Sequence, residues 1–154
     1  MTLDNLIGKG LVHEPTSCDE LQRFGDKIHI KLRDCQNQSV SLDSRFDLAY
    51  EGLLQIGLAA LRANGLRPDS RDGYHVMALH TLNLTIGYPR EKLRLLDELR
   101  RQRAAGLYDG SFAPSEAELE AMISVVEELT SFFERWLAKN HPELVSATRP
   151  PSPR

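Results

Sequence analysis

Three arginines, Arg100, Arg101 and Arg103, fall within four consecutive positions of this 154-residue chain. Guanidinium forks match the geometry of phosphate oxygens, so a cluster of this kind can hold a phosphate and stabilise negative charge developing on it. Tyr108 follows Arg103 by five positions. Its phenol can stack on a base or donate a hydrogen bond, but with an ordinary pKa of about 10 it is a poor proton acceptor. The same arginines also fit a plainer reading. They close a helix at the end where its dipole favours cations, and Arg103 would then pair with a carboxylate. Asp47 and Glu51, one helical turn apart on an earlier helix, are its nearest candidates.

The remaining reactive residues make a shorter list of chemistries. His75 and His80 are five apart, not the three or four that put two ligands on one helix face, and no acidic third ligand has matching spacing nearby. No metal site and no cofactor are expected. Cys18 and Cys35 form no CxxC pair, and they read as reduced packing thiols of a cytoplasmic protein rather than as a disulfide. No Ser-His-Asp set, phosphate-cradling glycine loop or carboxylate pair stands out.

The elements that must position these residues are helical. Ser17 and Glu20 have the spacing of a capping box, after which Leu21, Phe24, Ile28 and Leu32 recur at helical steps until the polar run at 36–39. A second helix opens at Ser41 or Asp43 and runs to Asn64, with Gly65 as its C-terminal cap. Its stripe is Phe46, Ala49, Tyr50, Leu53, Gly57 and Ala60, and beyond Leu53 it is apolar nearly all round, which predicts a central helix or one in a subunit contact. Residues 65–73 read as a loop. A third helix is expected from Tyr74 to Ile86, stopped by Gly87, and a fourth from Pro89 to Gly106. Pro114-Ser115 with Glu118 opens a fifth along Leu119, Met122 or Ile123, Val126, Leu129 and Phe133, ending near Lys139. No stretch alternates with period two, so no strand is expected. The fold class is all-α, an up-and-down bundle of about five helices over residues 17–140 whose sequential helices are antiparallel neighbours. Residues 1–16 form an N-terminal extension with room for one helical turn at Leu3, Leu6 and Ile7. Residues 141–154, rich in proline, read as a disordered tail.

Composition narrows the class without naming an activity. The chain is 41% hydrophobic and 27% charged with a net charge of −3, which excludes a surface that coats nucleic acid everywhere but leaves local patches open. One such patch is present: residues 90–103 carry a net +3, while 115–139 carry −4. The longest largely apolar stretch, Leu53 to Leu61, has nine residues, against about 20 for a membrane-spanning helix. The N-terminus lacks a basic region followed by an apolar core, so no secretion signal is expected.

The segment Leu99-Arg100-Arg101-Gln102-Arg103-Ala104-Ala105-Gly106-Leu107-Tyr108-Asp109-Gly110 resembles the signature region of the HEPN superfamily, small prokaryotic helical bundles. There an Arg precedes a His or Tyr by five positions, often with a Gly two residues later. Arg103, Tyr108 and Gly110 occupy those places. Ser41 to Tyr50, opening the second helix, and Gly73-Tyr74-His75, opening the third, resemble the same group. The resemblance spans roughly residues 17 to 138. It implies a four- or five-helix bundle that dimerises with its two motifs facing each other. It also implies a partner: RNA, a nucleotide, a cognate antitoxin, or a nucleotidyltransferase-like protein in a toxin–antitoxin or defence-type system. Many such proteins are metal-independent endoribonucleases in which the Arg holds the scissile phosphate and the His moves a proton. This chain has Tyr108 in the His place and Ala104 where a polar residue usually follows the Arg. The expectation is therefore a binding module with little or no nuclease activity. The alternative is a toxin-like ribonuclease using Arg103 and Tyr108. Arg100, Arg101, His75, Asp47 and Glu51 are expected around that pair, His75 lining a groove beside Arg103. For Arg103 and Tyr108 to share a face, the helix must fray at Gly106, because five positions on an ideal helix turn through about 140° beyond one full circle.

Overall fold

Helix ends set the element order of this protein. A computed structural model describes residues 2–70 and 73–145. In chain order the elements are α1 (Leu3–Leu6), β1 (Leu11–His13), α2 (Cys18–Asp34), α3 (Leu42–Ala63), β2 (Leu66–Pro68), α4 (Tyr74–His80), α5 (Leu82–Ile86), α6 (Arg90–Tyr108) and α7 (Glu116–Asn140), followed by a 3₁₀ turn at Pro142–Leu144. The all-α reading therefore holds, with one small sheet added. Ser41 caps α3 by accepting the Ser44 amide, and Gly65 takes the left-handed conformation (φ +72°) just beyond its end. Ser115 and Glu118 cap α7 reciprocally, each side chain accepting the other's amide. At α2 only half of the expected box forms. Ser17 Oγ accepts the Glu20 amide at 3.1 Å, but the Glu20 carboxylate turns away to accept from Arg62 on α3. A charged donor outcompetes a neutral amide for that carboxylate.

α3 is the axis. Phe46, Ala49, Tyr50, Leu53 and Ala60 are buried as expected, and Leu54, Ile56 and Leu61 on the other faces are buried as well. α2, α4, α5, α6 and α7 all pack on it. Here the structure departs from a simple up-and-down order. α2 and α3 are close neighbours, but α6 and α7 make little contact with each other and meet through α3. One tie does cross between them, from Lys92 Nζ to Glu128 Oε2 at 2.7 Å.

Three further differences have local causes. The expected helix from Tyr74 to Ile86 breaks at Thr81, whose hydroxyl donates to the Met77 carbonyl at 2.6 Å and competes with the backbone ladder. The segment read as a loop contains β2, which pairs antiparallel with β1 in the register Leu11↔Pro68, Val12↔Arg67, His13↔Leu66. Strands of three residues are too short to display an alternating pattern. β1 also ties the start of the chain into the body. Leu11 is fully buried in a second core with Leu54, Leu61, Leu66 and Ala78, and Leu3, Leu6 and Ile7 pack against it. At the other end Leu144 packs on the main core, while the proline-rich stretch 146–154 lies outside the described residues. Among the described residues no helix is long and apolar enough to cross a membrane.

One contact sets the depth of α4. A Cβ placed on Gly57 of α3 would lie 2.7 Å from the backbone carbonyl oxygen of Ala78 on α4, so the two helices cross there at backbone distance. Gly57→Ala should therefore destabilise the fold by about 1–3 kcal/mol through overpacking. Gly25→Ala in α2, where a Cβ meets nothing within 4 Å, should be neutral or stabilising by up to about 1 kcal/mol. Urea denaturation of both variants measures this, and equal stability of the two would refute the crossing as a constraint.

Candidate functional site

With α4 pressed onto α3, the first turn of α4 lies over Tyr50, two helical turns before Gly57. The Tyr50 hydroxyl and His75 Nδ1 are 2.9 Å apart, and the rings lie 5.7 Å apart between centroids. Tyr74 meets the same imidazole edge-on at 4.4 Å. From the other side α6 brings the Arg103 guanidinium over the Tyr50 ring, 5.5 Å from its centroid, a cation–π contact. These three helices enclose an open groove of about 310 Å³ lined chiefly by Tyr50, Tyr74, His75, Arg100, Arg103 and Tyr108. Among the described residues no carboxylate lines it.

Arg103 is the residue the fold leaves least satisfied. Its Nε is buried, has no hydrogen-bond partner among the described residues, and lies 3.9 Å from Asp47 Oδ1, too far for a hydrogen bond. Asp47 is thus the carboxylate facing Arg103, as expected, but it does not saturate it. Burial pushes the Asp47 carboxyl up, with Arg103 opposing. Glu51, the other expected partner, instead bonds Lys31 of α2 at 2.8 Å and has no part in the groove.

The three arginines do not act together. Asp97 accepts from Arg100 Nη2 at 3.0 Å, and it is ion-paired with Arg101 Nη2 at 2.9 Å and paired with His80 Nε2 at 2.9 Å. Burial works to raise the Asp97 carboxyl, but the hydrogen bonds from His80 and Arg100 and the Arg101 charge hold it below its ordinary value. Arg100 still lines the groove, whereas Arg101 is two-thirds exposed and lies with His80, Arg90 and Arg94 along a separate shallow cleft. Arg100 and Arg101 lie about 100° apart around α6, and of the two only Arg100 is on the side that meets the groove.

The spacing of Arg103 and Tyr108 also turns out differently. α6 does not fray at Gly106 but continues to Tyr108. Gly106 serves a close approach instead: a Cβ there would lie 3.0 Å from the Phe112 carbonyl oxygen, on the loop that returns to α7. Arg103 is consequently largely buried, while Tyr108 is 81% exposed on the rim of the groove.

The proton-active group beside Arg103 is His75. Desolvation first, then the positive charges of Arg103 and Arg100, lower its pKa from the ordinary value. The ring is therefore neutral at pH 7. Tyr50, read from its spacing as a core residue, is the site residue that sequence reasoning missed, and burial pushes its phenol up to about 12. A tyrosine inside an apolar stripe must still find a partner for its hydroxyl, and that requirement was the available signal. Among the described residues no group of three His, Cys, Asp or Glu side chains is placed to hold a metal. Cys18 and Cys35 are both free thiols, and burial pushes that of Cys35 up to about 11.

Replacing Arg103 by Gln should raise the His75 pKa towards about 6.5, since a neighbouring positive charge is removed. The neutral form is what the wild-type site favours, so the variant protonates His75 at a higher pH. An NMR titration of the imidazole signals reads this directly, and an unmoved titration would show that the two side chains are not electrostatically coupled.

No family model, curated protein or solved structure matches this chain, so the reading of the groove rests on its residues.

Proposed function

We propose that the groove binds the phosphate of an RNA strand or a nucleotide, in an HEPN-like module with little or no nuclease activity. The observation that carries this reading is that Arg103, whose buried Nε has Asp47 at 3.9 Å and no hydrogen-bond partner among the described residues, also lines a groove of aromatic rings and Arg100 that has, among the described residues, no carboxylate. A phosphate ester supplies what that lining lacks, an anion for the guanidinium and a flat base for the tyrosines. Tyr108 on the rim suits stacking and not proton transfer. The toxin-like ribonuclease is the second reading. It is favoured by one feature, the uncharged His75 beside Arg103, which supplies an imidazole from another helix where the motif has Tyr108.

Fluorescence titration with a labelled single-stranded oligoribonucleotide, in chelator, tests both readings. The wild type should bind without cleaving. Arg103→Ala should weaken binding about tenfold or more, the loss expected for a hydrogen bond to a charged group, and Arg103→Lys should recover part of it. Absence of binding would refute the first reading. Cleavage lost in both Arg103→Ala and His75→Ala would establish the second.

The exposed Leu107 and Tyr108 at the end of α6 support the further proposal that a second copy packs there and brings two grooves together. Light scattering should give a dimer, and Leu107→Asp with Tyr108→Glu should yield a monomer. A wild-type monomer would overturn it.

A further inference from the structure

The Tyr50 hydroxyl is buried, with the residue only 1% exposed, and its sole hydrogen-bond partner among the described residues is His75 Nδ1 at 2.9 Å. A buried hydroxyl that donates nowhere is costly. The imidazole nitrogen can accept its proton only when Nδ1 carries none. The bond therefore runs from the Tyr50 O–H to a bare Nδ1, and the ring's own proton must be on Nε2. Were Nδ1 protonated, it could donate to the phenol oxygen, but the Tyr50 proton would then have no acceptor. A charged imidazolium meets that same mismatch and also faces Arg103 and Arg100 of α6 across the groove.

We propose that Tyr50 holds His75 as the neutral, Nε2-protonated tautomer, so that His75 serves the groove as a third hydrogen-bond donor to a phosphate ester beside Arg103 and Arg100. Tyr50 is then a positioning residue, acting through His75. In this form Nε2 has no lone pair with which to take a proton from a ribose hydroxyl, which gives a physical reason for binding without cleavage. The donor role rests on the phosphate reading of the groove; the tautomer does not.

Two measurements separate these parts. Long-range ¹H–¹⁵N correlation spectra of the ¹⁵N-histidine-labelled protein at neutral pH should show His75 with a protonated Nε2 and an unprotonated Nδ1. In Tyr50→Phe the Nδ1 signal should move to that of a nitrogen accepting no hydrogen bond. A protonated Nδ1 in the wild type, or an Nδ1 signal unchanged in Tyr50→Phe, would overturn the tautomer. For the donor role the probe is adenosine 5′-monophosphate. His75→Gln, whose amide can place an N–H near the Nε2 position, should bind it nearly as the wild type does. His75→Asn, which reaches only the Nδ1 position, should bind about tenfold more weakly. Equal binding by the two variants overturns the donor role. A wild type that binds neither the nucleotide nor the oligoribonucleotide overturns the phosphate reading and the donor role with it, while the spectra decide the tautomer by themselves.

Discussion

The Arg62 guanidinium holds this molecule together at one end. It comes from the last turn of α3, only 6% of its side chain is exposed, and every N–H is used. Nε donates to Glu20 Oε2 at 3.0 Å, Nη1 to the carbonyls of Glu14 and Leu66 at 2.8 and 3.1 Å, and Nη2 to the Pro15 carbonyl and Glu20 Oε1 at 2.7 and 2.9 Å. A buried charge is tolerable only with such saturation. The reward is connectivity. One side chain ties the start of α2, the chain leaving β1 and the first residue of β2 to the axis helix. Glu20 in return is held below the ordinary carboxylate range, chiefly by its hydrogen bonds from Arg62. With β2 fixed, the chain entering α4 starts from a defined place, and α4 carries His75.

Arg103 makes the opposite case on the same physics. Arg62 and Arg103 both lie inside the fold, yet one has a partner for each donor and the other has a buried Nε with none. A buried unpaired donor costs about 1–3 kcal/mol, so a residue that served stability alone would be expected to look like Arg62. Arg45 does: it is buried, with its Nε donating to the Cys35 carbonyl at 2.8 Å. The contrast separates structural arginines from the one turned towards a groove, and charge counting along the chain cannot make that separation.

Two glycines set how closely the elements around α3 pack. Gly57 lets α4 reach α3 at Ala78, and Gly106 lets the loop after α6 close over that helix at Phe112. Phe112 packs against Phe46 of α3 at 5.2 Å, which holds the end of α6 against the axis. Neither glycine has a positive φ; each is needed for space. Close backbone approach of this kind makes the positions of Tyr50, His75 and Arg103 a property of helix packing rather than of flexible loops, and it suits a site that binds through preset donors.

Periodicity and capping chemistry were enough, read from the chain alone, to find α2, α3, α6 and α7, the Ser115 cap, the Gly65 stop and the buried stripes of α3 and α7, while the start of α3 was narrowed to Ser41 or Asp43. These are short-range properties, set by which residues share a helix face and which side chain can reach an amide three positions away. The three-residue strands were too short to signal, and the break at Thr81 depended on a hydroxyl turning back onto its own helix. The site was legible only in part. Arg103 and His75 were marked by residue type, but Tyr50 looked like one more core residue, and Arg101 and Glu51 looked as eligible as Arg100 and Asp47. Tertiary structure decided among them because a polar group's partner is chosen by packing between distant elements. Asp97 took Arg101 and Lys31 took Glu51 as ion pairs, Tyr50 took His75 in a hydrogen bond, and Arg103 was left with a buried Nε that has no hydrogen-bond partner among the described residues.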